Sequence, residues 1–187
     1  MRFAVPALIL VAITSACVST EPPTPIVMAA RSGDVTTIRT LAAAGTDLNA
    51  LGRNEWTPMM HAIHKGQTEA VSALIAAGAD VNRPTPSGMS ALEMAVGNGQ
   101  TEIVRRLLEA GANPRKRGVF VAAVSGGAFS DIERPLLGEC HTDIVRALLE
   151  KAPDLELPDD EDGYLSMMFA SLNRCNEVMQ MVRLRRG

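Results

Sequence analysis

Apolar residues recur along this chain in short clusters spaced by three and four, opened by Thr or Ser and closed by Gly. Val71, Leu74 and Ile75 fall on one face of a helix that ends at Gly78, where a left-handed turn favours a residue without Cβ. Before it, Thr57-Pro58 opens another helix. A threonine hydroxyl can accept a bond from a free backbone N–H, and a proline suits the first turn, which has no use for its missing N–H. Ala62 is small enough to let a neighbouring helix approach, and Gly66 ends the helix and turns the chain. Thr57 to Asn82 is therefore one helix–turn–helix unit, leaving through the extended turn Ala79-Asp80-Val81-Asn82.

The unit repeats with a period of 33 residues. Thr24-Pro25 falls on Thr57-Pro58 and Ser90-Ala91, Gly33 on Gly66 and Gly99, and Gly45 on Gly78 and Gly111. The fourth copy breaks the pattern. Val119 to Gly126 reads as its first helix behind a shortened linking hairpin, and Thr142 to Glu150 copies the second helix. An insertion around 127–140 separates them, and insertions in repeat arrays map to loops. A fifth copy starts near Asp160, where Gly163 and Leu165 to Ala170 follow the pattern and Cys175 to Val182 gives the last helix. Arg183, Arg185 and Arg186 then predict a polar cap that also suits the helix dipole.

With Gly66, the run Thr57-Pro58-Met59-Met60 and the run Gly78-Ala79-Asp80-Val81-Asn82 resemble an ankyrin repeat, and Thr101 to Asn113 resembles its second-helix half more closely still. The resemblance covers about residues 24 to 187, with Met60 standing where the family usually has His and Glu55 where it usually has Gly. It implies an all-α solenoid of about five stacked units joined by β-hairpin-like loops. It also implies non-enzymatic binding of another protein through the hairpin tips and a concave groove lined by the first helices.

By that register the groove positions are Arg53, Asn54, Trp56, His64 and Lys65 in unit two. In unit three they are Pro86, Ser87, Met89, Gly97 and Asn98, and in unit five Glu161, Asp162 and Tyr164. The one Trp and the one Tyr both fall just before the capping position of their unit. Large aromatics on an exposed rim make good anchors for a partner; alternatively each covers its own hairpin. Arg115-Lys116-Arg117 makes one hairpin basic, and the stretch from Asp154 to Asp162 makes the next one acidic. Such runs are usually solvated loops, though either could orient a charged partner.

Residues 1–16 read as a signal peptide: Arg2 is a positive start, Phe3 to Ile13 an apolar segment too short to span a bilayer, and Thr14-Ser15-Ala16 a small-residue cleavage site. The junction with Cys17 resembles a bacterial lipobox, except that Thr14 replaces the preferred Leu, Val or Ile. Ordinary signal peptidase could also cut after Ala16. Residues 17–23 form a polar, Pro-rich tether. The expectation is a monomer on the periplasmic side of the envelope, lipid-anchored through Cys17 to the outer membrane.

Composition narrows the chemistry. Hydrophobic residues are 47% of the 187 but aromatics only 3%, which suits close-packed helices built from Ala, Leu, Val, Ile and Met. A net charge of −3 gives no footprint of a nucleic-acid binder. His61 and His64 share a helix face but lack a third metal ligand, because His141 lies two units away. Cys140-His141 lacks a third group to orient a nucleophile. No catalytic, cofactor or metal site is expected.

Cys140 and Cys175 sit at neighbouring places in adjacent units. Stacked helices are about 10 Å apart and a disulfide needs Cα atoms within about 7 Å, so the pair forms either a staple or two buried thiols. Three functions follow: an envelope adaptor, an inhibitor or immunity-type protein acting on a periplasmic enzyme, or an oxidative-stress accessory using the cysteine pair.

Overall fold

A computed structural model describes residues 23–125 and 140–183. The segment expected to be a signal peptide, Cys17, most of the expected tether, Gly126, residues 127–139 of the insertion, and Arg185 and Arg186 lie outside the described residues. The described chain forms ten α-helices: α1 Pro25–Ser32, α2 Val35–Ala43, α3 Pro58–His64, α4 Thr68–Ala76, α5 Ala91–Gly97, α6 Thr101–Glu109, α7 Arg117–Ser125, α8 Thr142–Lys151, α9 Glu161–Leu172 and α10 Asn176–Arg183. They make an all-α stack of two layers. The odd-numbered helices pack on one another in order, and so do the even-numbered ones.

Small residues set the spacing of the first layer. Ala29, Ala30, Ala62, Ala95 and Ala170 are all buried where consecutive helices meet. The second layer supplies the larger side chains, with Ile38, Leu74, Leu107 and Leu148 each wholly enclosed. Each such side chain contributes about 1.5–3 kcal/mol by leaving water.

Helix ends follow the capping chemistry. Thr57 Oγ1 accepts from Met60 N at 3.3 Å and Ser90 Oγ from Glu93 N at 3.2 Å. Asp34 caps α2 by accepting from both the N–H and the hydroxyl of Thr37, and those bonds hold its carboxyl below the usual 3.8. Thr24, at the equivalent place in unit one, makes no such side-chain bond. Gly33, Gly66 and Gly99 turn the chain at φ of 76°, 69° and 69°. The fifth unit places Arg174 there instead, at φ 57°.

The loops are hairpin-like without a strand among the described residues. Gly52 N donates to Trp56 O at 2.8 Å and Thr85 N to Met89 O at 2.9 Å, one unit apart. Asparagines then tie the loops together: Asn49 Oδ1 accepts from Asp80 N, and Asn82 Oδ1 from Asn113 N.

A second tie lies at the residue just before each even-numbered helix. Gln67 Nε2 donates to Arg31 O at 3.3 Å and Gln100 Nε2 to Ile63 O at 2.7 Å, each reaching the end of the preceding unit's first helix. His141 takes that place in unit four, close enough to Gly99 that a Cβ there would lie 3.0 Å from Nε2. In unit five the residue is Cys175, bonded through a disulfide to Cys140 with a Cα–Cα separation of 5.4 Å.

The array does not end in a polar cap on its first layer. Tyr164, Met168 and Leu172, four residues apart on α9, are all exposed. Inside the array the place equivalent to Met168 is Met60 in unit two, which is wholly buried, whereas the places equivalent to Leu172, Arg31 and His64, are exposed.

Candidate functional site around Trp56

The linking loop between α2 and α3 builds the site. Arg53–Glu55 form a 3₁₀ turn in which Asn54 and Glu55 both take left-handed backbone, at φ 65° and 58°. Asparagine tolerates this conformation, whereas glutamate pays about 1–2 kcal/mol for it. The equivalent place in unit three is Gly88, at φ 87°. Glu55→Gly should therefore raise stability, by up to about 1 kcal/mol after the greater freedom of glycine in the unfolded chain is set against the relief. Urea titration of the two proteins measures the difference, and an unchanged or lower midpoint would deny that Glu55 is strained.

This turn delivers Trp56 onto α3. The indole contacts two imidazoles, with ring centroids 5.4 Å from His61 and 5.2 Å from His64. Trp56 is half-buried and packs against the core, not out on an exposed rim as its place in the sequence suggested. The two histidines are not equivalent: His61 is buried and His64 exposed. Between α1 and this loop lies a cavity of about 260 Å³ lined by Pro23, Val27, Arg31, Asn54, Trp56, His61 and His64.

The structure thus brings Asn54, Trp56 and His64 to one place. Lys65 is exposed at the end of α3 beside them. Pro23, just ahead of unit one, and Val27 and Arg31 of unit one complete the lining without having been anticipated. The signal for Arg31 was present, because it stands one period before His64.

The unit-three positions are elsewhere. Ser87 is exposed at the next hairpin tip, where its Oγ and Thr85 Oγ1 are 2.8 Å apart. Met89 is half-buried against the core and Asn98 half-buried at the end of α5. Gly97, expected in the groove, is buried inside α5.

Tyr164 belongs to the last unit and is 71% exposed. It does not precede its helix as Trp56 does. Asp160 caps α9 by accepting from Asp162 N and Gly163 N, so the helix starts one turn early and takes in Tyr164. Glu161 and Asp162 are exposed in that first turn.

The basic and acidic hairpins largely satisfy each other. Arg115 pairs with Asp154, and Arg117 with Asp160 and Asp162. The hydrogen bond that Arg117 donates to Asp162, then the charge of Asp160, push its guanidinium above its usual range. Lys116 bonds Glu93. These charges join units three, four and five to one another, so they are not left free to orient a partner. Exposed pairs of this kind are each worth about 0–1 kcal/mol.

No group of three or more potential metal ligands occurs among the described residues, and no described helix is long and apolar enough to cross a membrane. A family model described as ankyrin repeats (3 copies) matches residues 13–117, more than half of the 187. Comparison with curated proteins finds no match.

Proposed function

The chain belongs to the ankyrin-repeat family, and from that premise we propose that it is a non-enzymatic adaptor of the bacterial cell envelope that holds another protein against the cavity beside Trp56. Ankyrin repeats are generally protein–protein interaction modules. The observation that carries the choice of site is the indole itself. The chain has one Trp, and it forms a wall of a concave, polar-rimmed cavity beside strained backbone. Half-buried aromatics in such settings carry a disproportionate share of binding energy, and strained backbone clusters at functional sites.

Export and an anchor at Cys17 are part of the proposal. Their support is the sequence of the first seventeen residues together with the Cys140–Cys175 disulfide, a bond that persists in oxidising compartments. Inhibition of a periplasmic enzyme through the 127–138 loop, and a redox role for the cysteine pair, are the alternatives to an adaptor.

Capture from envelope extracts tests the reading. The wild-type chain should retain a partner that Trp56→Ala loses by more than tenfold at a temperature where circular dichroism shows the variant still folded, some loss of melting temperature being expected from its packing against the core, and Tyr164→Ala measures whether the far end contributes. A partner held equally by wild type and Trp56→Ala would remove the site. Fractionation of Cys17→Ser tests the anchor: release from the membrane fraction is expected.

A further inference from the structure

The same cavity has recognition chemistry of its own. We infer that it takes a carboxylate side chain of an extended partner segment, with an apolar neighbour of that carboxylate laid against the Trp56 indole. The inference rests on the reading of Trp56 as the partner contact.

Arg31 lines the cavity from the last turn of α1. It has no carboxylate partner among the described residues, as is also true of Arg39, Arg83, Arg105 and Arg174, but of these Arg31 alone lines the cavity beside Trp56. Its guanidinium is always charged and presents a planar fork of donors matched to two carboxylate oxygens. The remaining polar lining is Asn54, His61 and His64, an amide and two imidazoles, none of which carries negative charge. Lys65 adds a second exposed cation next to His64. Glu55 adjoins Trp56 in sequence but does not line the cavity.

Pro23, Val27 and the indole supply the apolar wall. A volume of about 260 Å³ has room for one carboxylate side chain and part of a neighbour. A cationic side chain entering the cavity would meet Arg31 with no acid to offset it, so the site discriminates by charge sign as well as by shape.

Selection from a random octapeptide library on the intact chain tests this. The retained pool should be enriched in Asp and Glu beside Leu, Ile or Phe. Retained peptides should shift the emission of the single Trp on binding. Arg31→Gln should weaken them by about ten- to hundredfold, as loss of a charge-assisted bond implies, with no change in melting temperature. A pool without acidic bias, retention unaffected by Arg31→Gln, or peptides that leave the Trp56 emission unmoved would each overturn the inference. So would the same emission change produced by inorganic phosphate alone, which would make this a general anion site. A natural partner lost on Trp56→Ala but kept on Arg31→Gln would overturn the acidic-segment inference while leaving the binding function standing.

Discussion

Cys140→Ser should lower the stability of the chain by about 3–4 kcal/mol, the loop-closure value for cysteines 35 residues apart. Cys140 is exposed, so a serine hydroxyl there stays in water and the variant isolates the loss of the bond. Cys175 is buried, and Cys175→Ser adds the cost of enclosing a hydroxyl. The loss should also be local. Repeat arrays are held by nearest-neighbour contacts, and the disulfide joins the last unit to the one before it. Unfolding of Cys140→Ser should then become visible by circular dichroism at lower denaturant than by the emission of Trp56, which lies in unit two. Wild type under reducing conditions should behave in the same way. Coincident transitions in the variant, or an unchanged midpoint, would show that the bond does not hold the end of the array.

That staple shows what the sequence could and could not convey. The period of 33 marked the helices, their caps and their glycine turns, because each depends on residues a few places apart. It also sets Gln67 and Gln100 one period apart, in the place that Cys175 takes before α10. It could not show that this position reaches back to the preceding unit, because that depends on how the units stack. Once Gln67 and Gln100 are seen bonding backbone of the previous helix, the 5.4 Å between Cys140 and Cys175 is the same approach made covalent.

Side-chain exposure was harder to read than register. Trp56 and Tyr164 looked alike in sequence, yet one is half-buried against two imidazoles and the other stands on an open helix face. The difference comes from Asp160, whose side chain starts α9 a turn early. The pairing of the charged hairpins was hidden for a related reason. Arg115 and Asp154 are 39 residues apart, and nothing local says that stacking brings them together. Arg31 was missed because the cavity lies between two units, and each unit was read for its own surface.

Gly163→Ala should destabilise the protein by about 1–3 kcal/mol, even though alanine is the better helix former. Gly163 lies in the first turn of α9 and is not one of the glycines with positive φ, so left-handed backbone is not its reason. A Cβ on it would fall 1.9 Å from the carbonyl oxygen of Pro158. That atom is backbone and cannot swing aside, so either α9 or the loop before it must move. The Asp160 cap, which accepts from Gly163 N at 3.4 Å, would move with them. Gly118→Ala provides the contrast. Its Cβ would come within 2.1 Å of Glu93 Oε1, the far end of a flexible side chain that can rotate away at the cost of its contact with Lys116. The gain in helix propensity, up to about 1 kcal/mol, then offsets the loss, and Gly118→Ala should be near neutral. Urea unfolding of both variants decides the matter. Equal midpoints for the two, or a Gly163→Ala protein as stable as wild type, would mean that α9 does not need the close approach of its first turn to the Pro158 carbonyl.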